Sequence, residues 1–203
     1  MTGKEKMING ELYNPDDKNL KDGRIKCKLL CQRYNNLAYD EFEERKTLIK
    51  RILGKTGKKY FIEQPFICDY GCNIEIGENF YSNHNLTILD CASVTFGENV
   101  FIGPNCNFYT AEHPLDVETR NKGLEYAKPI KIGNNVWIGG SVTILSGVTV
   151  GNNAVIGAGS VVTKNIDDNC IAAGIPAKVI KRIKKWTQKN YVPAKIQNAN
   201  CIR

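Results

Sequence analysis

The sequence predicts a mainly β repeat fold, in which very short strands joined by sharp corners stack into a column that helices cap at its amino-terminal end. Three observations carry this. From Ile132 every sixth residue is aliphatic, through Ile138, Ile144, Val150 and Ile156 to Val162. Two residues before these stand Val136, Val142, Val148, Ala154 and Ser160, also apolar or small. Between the pairs lie Gly139-Gly140, Ser146-Gly147, Gly151-Asn152-Asn153 and Gly157-Ala158-Gly159.

Side chains at i and i+2 share one face of a strand, so each unit reads as a strand of two or three residues with one inward row. Glycine and asparagine supply the positive φ that a tight corner demands. A helix would need apolar residues three and four apart, and each interior glycine would cost it about 1 kcal/mol relative to alanine. Such units bury their apolar row only against neighbours, so both ends of the column need covering.

Taken in order, residues 1–59 are expected to form a helical cap. KLLCQRYNNLAYDEFEERKTLIKRILG, residues 28–54, sets Leu30, Tyr34 and Leu37 on one helical face and Leu48, Ile49 and Ile52 on another, which predicts two short helices over the first coil. Residues 60–185 form the repeat domain. The register shows early at Tyr70, Ile76 and Ile88, with Ser82 breaking the series, and again at Phe96, Ile102 and Phe108. The eight-residue step from Ile88 to Phe96 implies two extra residues at a corner. Residues 109–131, charged and carrying two prolines, read as a long loop that leaves the coil and returns, and such loops are often functional. Residues 186–203 form a tail without a clear pattern.

A net charge of +7 selects no partner by itself, because the cations concentrate in the first sixty residues and after Lys178, whereas Ile132 to Thr163 carries no charged side chain. That uncharged stretch is rich in Asn, Gly, Ser and Thr, which excludes a lipid-facing span. The amino terminus lacks the apolar core of a secretory signal, so a cytoplasmic protein is expected. Eight scattered cysteines with no CxxC pair read as reduced and mostly buried thiols. With two histidines in the chain, His84 and His113, a zinc site is not expected.

The repeats IGNNVW, IGGSVT, VGNNAV and IGAGSV resemble those of the hexapeptide acyltransferases. NFYSNHNLTILD, the EHP of the loop, GLEYAKPIKIGNNVWIGG, AAGIPAKVI and GELYNPDDKNL narrow the likeness, over nearly the whole chain, to the maltose and galactoside O-acetyltransferase family. The resemblance implies a left-handed parallel β-helix with three flat sides, a homotrimer with its active site shared between subunits, acetyl-CoA as cosubstrate, and a sugar-like acceptor. No metal, nucleic acid or membrane is implied.

Acetyl transfer from a thioester to a hydroxyl needs a base, a donor to the developing oxyanion and a coenzyme groove. His113 corresponds to the family's catalytic histidine, and histidine is substantially neutral near pH 7. Asn83 matches the asparagine that donates to the tetrahedral intermediate or to the sugar, and Glu125 stands where maltose-type members have a glutamate that orients or supports the histidine. His84 reads as structural or near the substrate. Asp16, Arg24, Asp69, Tyr81, Asn83 and Asp90 match acceptor positions. Cys91 departs from the galactoside-type members, which are acidic there. Trp137, Gly140, Ala158, Thr163 and Lys164 match the coenzyme groove, with Lys178, Lys181 and Arg182 placed to meet phosphates.

A covalent route through Cys91 or Cys106 has no motif to support it, so direct attack through a ternary complex is expected. The rival readings are a relative acetylating another hydroxyl or amine, on an oligosaccharide, an antibiotic or a sugar nucleotide, and a non-catalytic scaffold. A carbonic-anhydrase-type zinc hydrolase would need three histidines.

Overall fold

In the computed structural model, which describes residues 1–183, three narrow parallel sheets wrap one apolar column. The first face stacks Tyr60–Ile62, Phe80–Ser82, Phe101–Ile102, Trp137–Ile138, Val155–Ile156 and Cys170–Gly174. The second stacks Phe66–Cys68, Leu86–Leu89, Asn107–Tyr109, Thr143–Ile144 and Val161–Val162, and the third Ile74–Ile76, Val94–Phe96, Ile130–Ile132 and Thr149–Val150. The chain visits the faces in rotation. At the far end Ala177–Arg182 turns back antiparallel on Cys170–Gly174. The tail expected at 186–203 lies outside the described residues.

The register explains the six-residue period. Lys131 pairs with Thr149, Trp137 with Val155 and Thr143 with Val161, so a regular coil takes eighteen residues, three units of six. Inward residues stack in columns such as Ile102, Ile138 and Ile156, all buried. Phe80, Phe96 and Phe108 fill the early coils edge to face, with ring centroids 5.2 and 5.0 Å apart.

The early coils are two residues longer: Tyr60 pairs with Phe80, Phe66 with Leu86 and Ile74 with Val94. The excess falls each time at the edge between the second and third faces, once after Cys68 and once after Leu89. The loop 109–131 leaves from the same edge one coil later. This corrects two expectations about register. Tyr70 is not an inward residue, because the bulge displaces the count and Cys68 takes that position. Ser82 does not leave the column: it points inward, fully buried, and donates to the Asn83 carbonyl at 3.1 Å.

At the edge between the third and first faces, Asn79, Asn99, Asn135, Asn153 and Asn169 all have φ between 56° and 58°. Asparagine tolerates this left-handed conformation better than most residues. Their side-chain amides form a ladder, each Nδ2 donating to the next Oδ1 at 2.9 to 3.0 Å.

Helices α1 (Gly3–Ile8), α2 (Lys18–Asn35) and α3 (Phe42–Ile52) make the cap, one helix more than expected. A capping box between Thr2 and Glu5 starts α1, and the Asp17 carboxylate, accepting from the Asn19 and Leu20 amides, starts α2. Cys27, Cys31 and Tyr34 of α2 and Leu48, Ile49 and Ile52 of α3 join the apolar core of the first coil. A smaller cluster of Met7, Tyr13, Leu20, Cys91, Ala92 and Ala127 ties the amino-terminal segment to the bulged edge and to the loop. The loop itself contains a strand pair, Ala111–Glu112 with Tyr126–Ala127, and a short helix α4 (Val117–Asn121). Among the described residues no helix is long and apolar enough to cross a membrane.

Candidate active site

The bulged edge, the loop and the cap together enclose a cleft of about 570 Å³. The two inserted corners supply its floor, Asp69 from one coil and Leu89 and Cys91 from the next, with Asp90 buried beneath it. The α2 helix brings Arg24 and Lys28 to one wall, the loop brings His113 and Glu125 to the other, and Asp16 stands at the α2 approach.

His113 projects at the end of the strand Ala111–Glu112, half exposed, with Nδ1 3.3 Å from the Leu124 carbonyl oxygen. That carbonyl can only accept, so the network assigns the proton to Nδ1 and leaves Nε2 with a free lone pair. Nε2 lies 3.9 Å from Glu125 Oε1. The other carboxylate oxygen accepts from the buried Tyr13 hydroxyl at 2.7 Å, while the two backbones exchange Tyr13 N to Glu125 O at 2.9 Å and Glu125 N to Tyr13 O at 3.0 Å. Glu125 is thus clamped by the cap with one oxygen turned to the histidine. Glu112, next to His113, anchors the loop by accepting from Tyr126 and Ser146 hydroxyls and from Lys128 at 3.4 Å.

Burial pushes the Asp69 carboxyl upward although Lys28 stands 3.7 Å away and Arg24 is near. Arg24 is held by donating to the Tyr70 hydroxyl at 2.7 Å and the Pro15 carbonyl at 2.5 Å. Asp90 is fully buried, and its Oδ1 accepts from the Asp69 and Tyr70 amides at 3.0 and 2.9 Å. Desolvation pushes this carboxyl up to about 7, and among the described residues its Oδ2 has no hydrogen-bond partner. Cys91 is buried beside it, its thiol pushed up to about 12 by the same cause.

Asp16, Arg24, Asp69, Asp90, His113 and Glu125 therefore come together at one edge. Tyr81 and Asn83 do not join them. Tyr81 lies on the first face, its ring stacked on Phe61 at 6.4 Å, and Asn83 follows at the edge between the first and second faces, where its Oδ1 accepts from the His84 amide at 2.7 Å. His84 Nδ1 faces the Gln64 carbonyl at 2.6 Å.

Of the groove candidates, Trp137 is exposed on the first face, and Gly140 and Ala158 follow at its exit edge. The backbones are tight there: a Cβ on Gly139 would stand 2.7 Å from the Ala158 amide nitrogen. Lys178 and Lys181 lie exposed on the returning strand beside the same face, as does Arg182, which pairs with Asp167 at 3.3 Å. Thr163 and Lys164 stand exposed at the exit of the second face, on the cleft's edge but farther along the coil. Lys28 and Tyr13 were not singled out in the sequence. Tyr13 lies within GELYNP, a segment already marked by resemblance, but its role depends on a contact 112 residues away.

Family comparison agrees with this architecture. The maltose acetyltransferase hexapeptide capping motif matches residues 6–57, and six repeats of the bacterial transferase hexapeptide match residues 129–164. The galactoside O-acetyltransferase of Escherichia coli K12 is 45% identical over 187 residues, 92% of each chain. A maltose O-acetyltransferase from Clostridium difficile 630 superposes with a TM-score of 0.90 at 48% identity, over 91% of this chain and 99% of that one. A galactoside acetyltransferase solved in complex with coenzyme A gives 0.88 at 44% identity, over 91% and 92%.

Proposed function

The chain belongs to the maltose and galactoside O-acetyltransferase family of hexapeptide-repeat acetyltransferases, and on that premise we propose that it transfers acetyl from acetyl-CoA to a sugar hydroxyl by direct attack, with His113 as general base. The observation that carries this reading is the pairing at the cleft wall: the half-exposed His113 lines the cleft, its Nδ1 donates to the Leu124 carbonyl, and Glu125 stands beside Nε2. As the acceptor hydroxyl attacks the thioester carbonyl, Nε2 takes its proton; the imidazolium is then steadied by the Glu125 carboxylate, and the proton passes to the departing thiolate. Asp16 and Asp69 are hydroxyl partners for the acceptor, while Asp90, matched to an acceptor position but buried beneath the cleft, holds the Asp69 amide that positions that corner.

An acyl-enzyme is disfavoured, because burial raises both Cys91 and Cys106, and the Cys106 thiol donates to the Gly139 carbonyl at 3.1 Å. The coenzyme is assigned to Trp137, Gly140, Ala158, Thr163 and Lys164, with Lys178 and Lys181 near its phosphates. The solved relative in complex with coenzyme A supports this use of the fold.

The separation of Asn83 and Tyr81 from His113 supports a homotrimer in which the first-face edge of one subunit completes the cleft of the next, so that Asn83 of a neighbour donates to the oxyanion. Residues 1–59 are then the substrate-side cap and 60–185 the acyltransferase domain.

The test is thiol release from acetyl-CoA with maltose, glucose, galactosides and an acceptor-free blank. Sugar-dependent release is expected, and His113→Ala should lower kcat by about 10²- to 10⁴-fold while coenzyme binding persists. Release with amines or oligosaccharides and not with these sugars would move the acceptor class; no release with any acceptor would leave a scaffold.

A further inference from the structure

Beneath the cap, α2 presents Cys27 and Cys31 one turn apart on its inward face, opposite Cys68, the last inward residue of the first coil's second strand. Sγ of Cys68 lies 3.5 Å from that of Cys27 and 3.6 Å from that of Cys31, and all three sulfurs fall within 4.8 Å of one another. They are 4%, 5% and 0% exposed. We infer that Cys27, Cys31 and Cys68 form a capture site for a trivalent thiophilic element, of which arsenic(III) is the accessible example.

The charge balance selects the valence. Among the described residues no cationic side chain is hydrogen-bonded or ion-paired to these sulfurs, and a net charge buried there would be costly. Three thiolates leave two negative charges with copper(I) and one with a divalent ion, but none with a trivalent one. The donor set points the same way. Among the described residues no histidine or carboxylate joins the three sulfurs within the same 4.8 Å, whereas a structural zinc takes four ligands. A three-coordinate pyramidal ion needs none beyond the three present.

The capture balances without an oxidant. As(OH)3 + 3 Cys-SH gives As(S-Cys)3 + 3 H2O; three As–O bonds break, three As–S bonds form, and each thiol proton leaves with a hydroxide as water. Arsenic stays trivalent, and the entering species is neutral. An entry route exists, since a cavity of about 240 Å³ opening beside Lys4 and Arg51 is lined by both the exposed Cys72 and by Cys27. Occupation would pin α2 to the first coil at Cys27 and Cys31, which flank Lys28 and follow Arg24, the residues α2 contributes to the cleft. The inference does not rest on acetyl transfer.

The test uses the full-length reduced protein and arsenite. One arsenic per chain is expected to survive desalting, with a sulfur-to-arsenic charge-transfer band in the near ultraviolet and three sulfur but no oxygen neighbours by arsenic-edge X-ray absorption. Cys31→Ser and Cys68→Ala should each weaken retention by at least about tenfold, and Cys72→Ser should leave the stoichiometry unchanged. Loss of arsenic on desalting, oxygen neighbours in the spectrum, full retention by Cys31→Ser, or tighter one-to-one retention of zinc would each overturn the site. The X-ray measurement on the unmodified protein decides the matter even where a core variant does not fold.

Discussion

Glu125 lines the cleft and Asp90 lies buried beneath it, two carboxyls in opposite circumstances. Glu125 is one-fifth exposed, held by Tyr13 and turned toward His113. Two charges 3.9 Å apart at a half-exposed position are screened to about 1 kcal/mol. Glu125→Gln should therefore reduce kcat roughly fivefold, far less than His113→Ala, with KM for acetyl-CoA unchanged; a KM-dominated defect would remove Glu125 from any role at the base. Asp90 is buried with its carboxyl raised to about 7. Its folded pKa exceeds the unfolded one, so the native state binds the extra proton and stability falls as pH rises from about 4 to 7, by up to ~4 kcal/mol. Asp90→Asn can keep Oδ1 on the Asp69 and Tyr70 amides and never ionises. Denaturation midpoints of wild type and variant should diverge across that pH window in the variant's favour, and parallel curves would show that Asp90 is ionised throughout.

The corner between the third and first faces recurs once per coil with the same residue in the same strained conformation, which makes it the element whose energetics can be isolated. Asn135 has φ 57° and sits mid-ladder between Asn99 and Asn153. Asn135→Ala loses both amide bonds and keeps a Cβ in the left-handed region without asparagine's tolerance for it; Asn135→Gly loses the bonds but sheds that Cβ cost of about 1 kcal/mol. Urea midpoints should rank wild type above Gly above Ala, and equal midpoints for Gly and Ala would show that the backbone relaxes. This repeat was legible in the sequence because a regular coil is three identical units, so Ile132 through Val162 declare their facing by count. The early coils were harder. Two inserted residues after Cys68 shift every earlier assignment, so stepping back by six from Ile76 lands on Tyr70, which the structure places in the bulge. Helix α1 was missed for another reason: six residues with one buried side chain, Met7, carry almost no periodicity.

Across the whole molecule, the residues matched to one catalytic family divide between two edges of the prism, and sequence could not show this because facing is set only after insertions are counted. The trithiol was invisible for a related reason, since Cys68 meets Cys27 and Cys31 only when the cap closes over the first coil. If the division reflects a trimer, the assembly should have about three times the 22.7 kDa mass of the chain, and His113 and Asn83 of one active site should come from different subunits. His113→Ala and Asn83→Ala would each be inactive alone. Dissociated and reassembled in equal amounts, they would rebuild complete sites wherever an Asn83→Ala subunit supplies His113 to a cleft whose neighbour, a His113→Ala subunit, supplies Asn83. Random assortment makes that combination about a quarter of all sites, so thiol release should recover to about a quarter of the wild-type rate. Had both residues served the same subunit's site, every chain would carry one lesion in its own cleft and mixing would restore nothing.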